Sequence, residues 1–107
     1  MAFFRVSELP RTEMAAGIGR RAVYLEGVMM TFFDFAPGTV VPEHQHPHEQ
    51  ITLVLEGALE FTLGDETRII RVGEGVTIPP NVPHSARALS HPTQAVDAWH
   101  PIREDYK

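Results

Sequence analysis

Punctuation by proline and glycine limits what this chain can fold into more than any other feature of its sequence. Nine prolines and eight glycines cut it into short segments, which favours strands joined by turns over helices. Between the breaks the residues alternate in type. Arg20 to Leu25 sets Arg20, Ala22 and Tyr24 against Arg21, Val23 and Leu25. Val28 to Phe35 is apolar on both faces, the pattern of a strand packed on both sides. Pro37-Gly38 is a turn, since proline presets φ and glycine accepts positive φ. Thr39 to Val41, Ile51 to Leu55, Ala58 to Leu63, Glu66 to Val72, Val76 to Pro79, Val82 to Ala88 and Gln94 to Trp99 read as further strands. Gly64-Asp65 is a two-residue hairpin loop, and Pro80-Asn81 is another turn. Residues 1–19 form an irregular arm or a short edge strand, because Leu9-Pro10 and Gly17-Ile18-Gly19 break any long helix. Residues 101–107 read as a polar tail. The sum is about eight to ten short strands, an all-β sandwich or barrel.

A chain of 107 residues is expected to form a single domain, 1–107, with one hydrophobic core. It has no apolar run long enough to span a membrane, and its N-terminus meets charge too early for a secretory signal, so a cytoplasmic location is expected. The net charge of −5 and the lack of a basic patch argue against nucleic acid as a partner. The absence of cysteine excludes disulfides, a thiol nucleophile and thiolate metal ligands. Any metal must be held by histidine, carboxylate or amide oxygen.

The stretch His44-Gln45-His46-Pro47-His48-Glu49-Gln50 carries the chemistry. In a strand, residues i and i+2 share a face, so His44 and His46 project side by side. Gln50 and Thr52 keep that parity if the strand continues unbroken. Two imidazoles so spaced can take adjacent positions around one ion, and Gln50 can add an amide oxygen. A distant histidine must complete the set. A His-x-His pair alone is more often a solvated surface feature. Its surroundings raise its meaning: Gly38 precedes it, Gly57 follows it, and Gly73, Pro79 and His84 form a second spaced set.

These two sets resemble the motifs of the cupin family. The first motif is matched in register by Gly38, His44, His46, Gln50 and Gly57, within 38–57. The second is matched by Gly73, Pro79, Asn81, His84 and Ala88, within 73–88. The resemblance implies a cupin double-stranded β-helix (a jelly-roll barrel) and a metal ligand set of His44, His46, Gln50 and His84. Gln50 stands where most cupins carry glutamate. Glu49 lies one place early, so its side chain faces away, and Gln50 is the preferred ligand. Three imidazoles and a neutral amide leave a divalent ion its full charge and its Lewis acidity. Nitrogen and oxygen donors suit one divalent transition metal ion, Ni, Fe, Mn, Co, Cu or Zn, without choosing among them. His48 could stand behind the ligand histidines, although a solvent-facing position is the simpler account; His91 and His100 are expected to face solvent.

The last strand is the second informative stretch. Asp97 and Trp99 share one face, and Arg103 follows Pro101 at the strand end. A carboxylate in a closed aromatic cavity can act as acid or base, and arginine can hold a substrate carboxylate. Read from the residues alone, Asp97 as a turn cap, Trp99 as core and Arg103 as a surface charge is the simpler account. The stretch is also similar to a subgroup of small cupins that includes the pectin-degradation protein KdgF. That similarity implies a metal-dependent enzyme opening 4,5-unsaturated uronate rings, with Asp97 and Arg103 catalytic and Trp99 and Arg103 binding a small anionic substrate. Trp99 replaces a more usual phenylalanine. A metal-dependent dioxygenase and a non-catalytic binding or sensing cupin are the alternatives. Ile51, Leu53 and Leu55 lie opposite Gln50 and lead us to expect a homodimer, although core packing within one copy would also account for them.

Overall fold

The computed structural model describes residues 2–107. It contains ten strands: β1 (Thr12–Ala15), β2 (Ile18–Tyr24), β3 (Met29–Phe35), β4 (Val40–His44), β5 (Glu49–Glu56), β6 (Ala58–Leu63), β7 (Glu66–Arg71), β8 (Gly75–Ile78), β9 (His84–Ala88) and β10 (Thr93–His100). They form two antiparallel sheets in a jelly-roll arrangement. The larger runs β1-β2-β3-β10-β5-β8 and the smaller runs β4-β9-β6-β7. Among the described residues, no helix is long and apolar enough to cross a membrane.

Alternation decides which side chains enter the space between the sheets. Along β5, Gln50, Thr52 and Val54 are buried while Ile51, Leu53 and Leu55 are exposed. Along β10, Thr93, Ala95, Asp97 and Trp99 point inward. The apolar core joins Ile18, Phe33, Phe35, Val54, Leu59 and Phe61 from both sheets, each burial contributing roughly 1.5–3 kcal/mol for a large aliphatic or aromatic side chain. At the opposite end, the Thr93 hydroxyl sits 3.2 Å from both Ala58 N and Ala58 O and ties β10 to the start of β6.

Three expectations change. The apolar β3 is packed mainly on one side: Met29, Thr31, Phe33 and Phe35 are buried, whereas Met30 and neighbouring Val28 are exposed. On the outer face Phe32 is half-buried, and the N-terminal arm sets the Phe4 ring 6.4 Å from it, centroid to centroid. The N-terminal arm holds the expected short edge strand, β1, paired to β2 after a 3₁₀ turn at Val6–Glu8, but β2 begins at Ile18 rather than Arg20. The end of the chain is not merely a polar tail. A 3₁₀ turn at Glu104–Tyr106 brings Tyr106 edge-on against Trp99 and Phe33, with ring centroids 5.5 and 6.2 Å apart. Its aromatic ring belongs with the core residues, which periodicity over so short a polar segment does not reveal.

Candidate metal centre

His44 ends β4 and pairs in register with His84, the first residue of β9. His46 lies in the connection that carries the chain from the smaller sheet to the larger, and Gln50 is the second residue of β5. The condition of one unbroken strand from His44 through Gln50 is therefore not met. The chain bends between the sheets, and parity cannot be counted through the bend. The side chains converge nonetheless. Ring centroids stand 4.2 Å apart for His44 and His84, 4.8 Å for His46 and His84, and 5.6 Å for His44 and His46. Their nearest ligand atoms all lie within 4.8 Å of one another, so the three form a cluster able to hold a metal ion.

The hydrogen bonds fix which nitrogens face inward. His44 Nδ1 donates to Pro42 O at 2.9 Å, His46 Nδ1 to His48 O at 3.1 Å, and His84 Nδ1 to Val82 O at 2.9 Å. A carbonyl oxygen only accepts, so each Nδ1 bears the proton and each Nε2 presents a lone pair. His84 Nε2 is buried and has no partner among the described residues. His46 Nε2 stands 3.0 Å from Gln50 Oε1, while Gln50 Nε2 donates to Thr52 Oγ1 at 2.8 Å. That arrangement sets two acceptors against each other. An orphaned lone pair and an acceptor–acceptor contact are both relieved by a cation, so these residues fit a metal ion. Burial pushes His46 below the usual histidine range and His84 down to about 4, which keeps both imidazoles neutral and ready to ligate.

Asp97 lies opposite Thr52 in the β5–β10 pairing and accepts the Thr52 hydroxyl proton at 2.6 Å. It is mid-strand and buried, not a turn cap. Burial raises its carboxyl to about 7, against the opposing pull of Thr52, Gln50, Arg103 and Thr31. Trp99 is buried too. Its Nε1 donates to Thr31 Oγ1 at 2.9 Å, and its ring lies 5.1 Å from that of His46. His44, Gln50, Thr52, His84, Asp97, Trp99 and Tyr106 line a common cavity of about 200 Å³ between the sheets, together with apolar Leu59, Phe33 and Phe61.

Arg103 is neither a free surface charge nor a cavity-lining group. Its guanidinium stacks 3.9 Å from the centre of the Tyr106 ring and 5.0 Å from that of Trp99. Nη2 pairs with Asp105 at 2.9 Å, and Nη1 is buried without a partner among the described residues. His48 stands beside the ligand histidines rather than in open solvent. It is half-buried, its ring centroid 5.7 Å from that of His46 and 6.2 Å from that of Trp99, and its Nδ1 is buried without a partner among the described residues. His91 and His100 are exposed as expected. Sequence reasoning passed over Thr31 and Tyr106. The parity of β3 would have placed Thr31 inward, but nothing local announced the return of Tyr106.

Fold and site together define a small β-sandwich whose three histidines can hold a metal ion at one end of its cavity. The chain belongs to the cupin family: residues 31–99 match the family's cupin domain. Its structure is similar to that of KdgF from Halomonas sp., with a TM-score of 0.92 and 32% identity, covering 98% of this chain and 97% of that one. It is 52% identical to H2HPP isomerase of Bacillus subtilis over 52 residues, 48% of this chain and 22% of that protein. It is 44% identical to quercetin 2,3-dioxygenase of Bacillus subtilis over 61 residues, 55% of this chain and 18% of that protein. The chain thus spans less than a quarter of either of these curated relatives.

Proposed function

We propose that this cupin is a metal-dependent enzyme acting on a small carboxylated sugar or keto acid, and that it opens the ring of 4,5-unsaturated uronates. His44, His46, His84 and Gln50 would hold one divalent ion. When bound, that ion supplies Lewis acidity toward a substrate oxygen. The observation that carries the reading is the placement of a buried carboxyl, Asp97, in the same cavity as His44, His84 and Gln50 and linked to Gln50 through Thr52. The likeness to Halomonas KdgF along nearly the whole of both chains supports the choice of substrate.

The ring opening is an isomerisation. Asp97 accepts the proton of the anomeric hydroxyl, the anomeric carbon forms a carbonyl, and its bond to the ring oxygen breaks. The ring oxygen is left as an enolate, and a proton returned to the adjacent alkene carbon gives the linear ketone. A carboxyl that titrates near neutrality can both accept and return that proton. Trp99 offers an aromatic wall for the ring. Arg103, stacked on the Trp99 ring beside the cavity, would have to swing its guanidinium over the mouth to bring Nη1 to the substrate carboxylate.

Loss of the enol-ether ultraviolet absorbance reports the reaction. Asp97→Asn and Arg103→Ala should each lose turnover while keeping their metal content and thermal transition. Unchanged turnover in both variants would overturn these roles. A second reading, a metal-dependent dioxygenase, draws on the likeness to quercetin 2,3-dioxygenase. Substrate-dependent oxygen consumption by the iron form would favour it over ring opening.

A further inference from the structure

We infer that Thr52 is a positioning residue of the metal centre, whose hydroxyl fixes which end of the Gln50 amide faces the three histidines. The inference rests on the reading that this cluster binds an ion. A carboxylate ligand looks alike from either oxygen. An amide does not, because one end carries lone pairs and the other carries protons of nearly the same shape. A neutral glutamine in a ligand position therefore has an orientation to get wrong, and the wrong one aims N–H groups at a cation.

Thr52 removes that choice. It is two residues along β5 from Gln50, on the same buried face, and it sits directly opposite Asp97 on β10. It touches both. A hydroxyl has one proton, and the 2.6 Å contact gives that proton to Asp97 Oδ1. The Thr52 oxygen can then only accept on its other side, so Gln50 must turn Nε2 toward it, at 2.8 Å. Oε1 is left pointing at the histidine cluster, 3.0 Å from His46 Nε2. Thr52 is 3% exposed, so bulk water cannot stand in for its hydroxyl. Packing alone does not explain the residue, because the next inward position on the strand is Val54 and valine has the same shape.

The test is binding of Co²⁺ alone, by titration calorimetry and by the visible absorption of the bound ion, with metal-free thermal transitions measured in parallel. Thr52→Val should weaken Co²⁺ binding by roughly 10–100-fold, the usual effect of losing a group that orients a ligand. Thr52→Ser restores the hydroxyl and should stay within about 3-fold of wild type. The deciding arm uses Gln50→Glu, whose carboxylate has no wrong end. In that background Thr52→Val should change the affinity by less than about 3-fold, as a double-mutant cycle requires of two residues acting through one contact. An equal loss in both backgrounds would mean a merely structural role and overturn the inference. So would wild-type affinity in Thr52→Val. A wild-type protein that takes up no Co²⁺ would overturn the metal reading and this inference with it.

Discussion

Replacing Gly57 and Gly38 separately by alanine separates two costs that a cupin-motif glycine can carry. Both have positive φ, +76° at Gly57 and +75° at Gly38, so alanine meets the same backbone penalty at each, about 1–2 kcal/mol. Their surroundings differ. A methyl group added at Gly38 would have nothing within 4 Å, and the N–H bonds of Gly38 to the Ala88 and Leu89 carbonyls would survive. At Gly57 the added carbon would fall 2.3 Å from Thr93 Oγ1 and 2.6 Å from Pro92 O. The second contact is backbone and cannot rotate away. Moving Thr93 also strains its two bonds to Ala58, worth about 1 kcal/mol each. With about 1–3 kcal/mol for overpacking added to the backbone penalty, Gly57→Ala should cost about 2–5 kcal/mol before any loss of those bonds, and Gly38→Ala only about 1–2. Urea unfolding of the metal-free variants measures both, provided the slopes match that of wild type. Equal losses at the two positions would refute the steric argument, because φ alone would then account for everything.

Other outcomes follow from the same geometry. Saturating metal at about 100 times its dissociation constant should stabilise the protein by about 2.7 kcal/mol, on the order of 10 °C in Tm; His84→Ala should abolish the gain, as calorimetric scans with and without chelator will report. In the metal-free protein, His84 is depressed from 6.5 to about 4. The unfolded chain therefore takes the proton first. Stability from this group is fully present above pH 6.5 and is lost as pH falls toward about 4, by roughly 3 kcal/mol. Denaturant titrations across that window, with His84→Gln as the reference, should show the difference, and parallel curves would contradict it. Finally, Ile51, Leu53 and Leu55 are 55%, 39% and 46% exposed on the outer face of β5. We propose that a second copy covers them, so Leu53→Glu should sediment as a monomer at micromolar concentration; a wild type that is already monomeric would remove the idea.

Much of this molecule was legible because strand periodicity is a local property. Proline and glycine marked the ends of the strands. The alternation of β5 and β10 put Gln50 and Thr52 on one face, Ile51, Leu53 and Leu55 on the other, and Asp97 with Trp99 on a shared face, but only the structure shows that Asp97 lies mid-strand and inward rather than capping a turn. Spacing singled out His44, His46 and His84, and the structure brings them together. What periodicity could not supply is what happens where it is interrupted. The bend that carries His46 between the sheets, the half-burial of His48 beside Trp99 and the return of Tyr106 beneath the Arg103 guanidinium all occur outside regular strands. Nor could a sequence show that the three imidazoles share one tautomer, since each proton is placed by a backbone carbonyl whose direction depends on the local path of the chain. The bond between Thr52 and Asp97 spans 45 residues of sequence. Parity gave each of them a face, but only the pairing of β5 with β10 set them opposite one another.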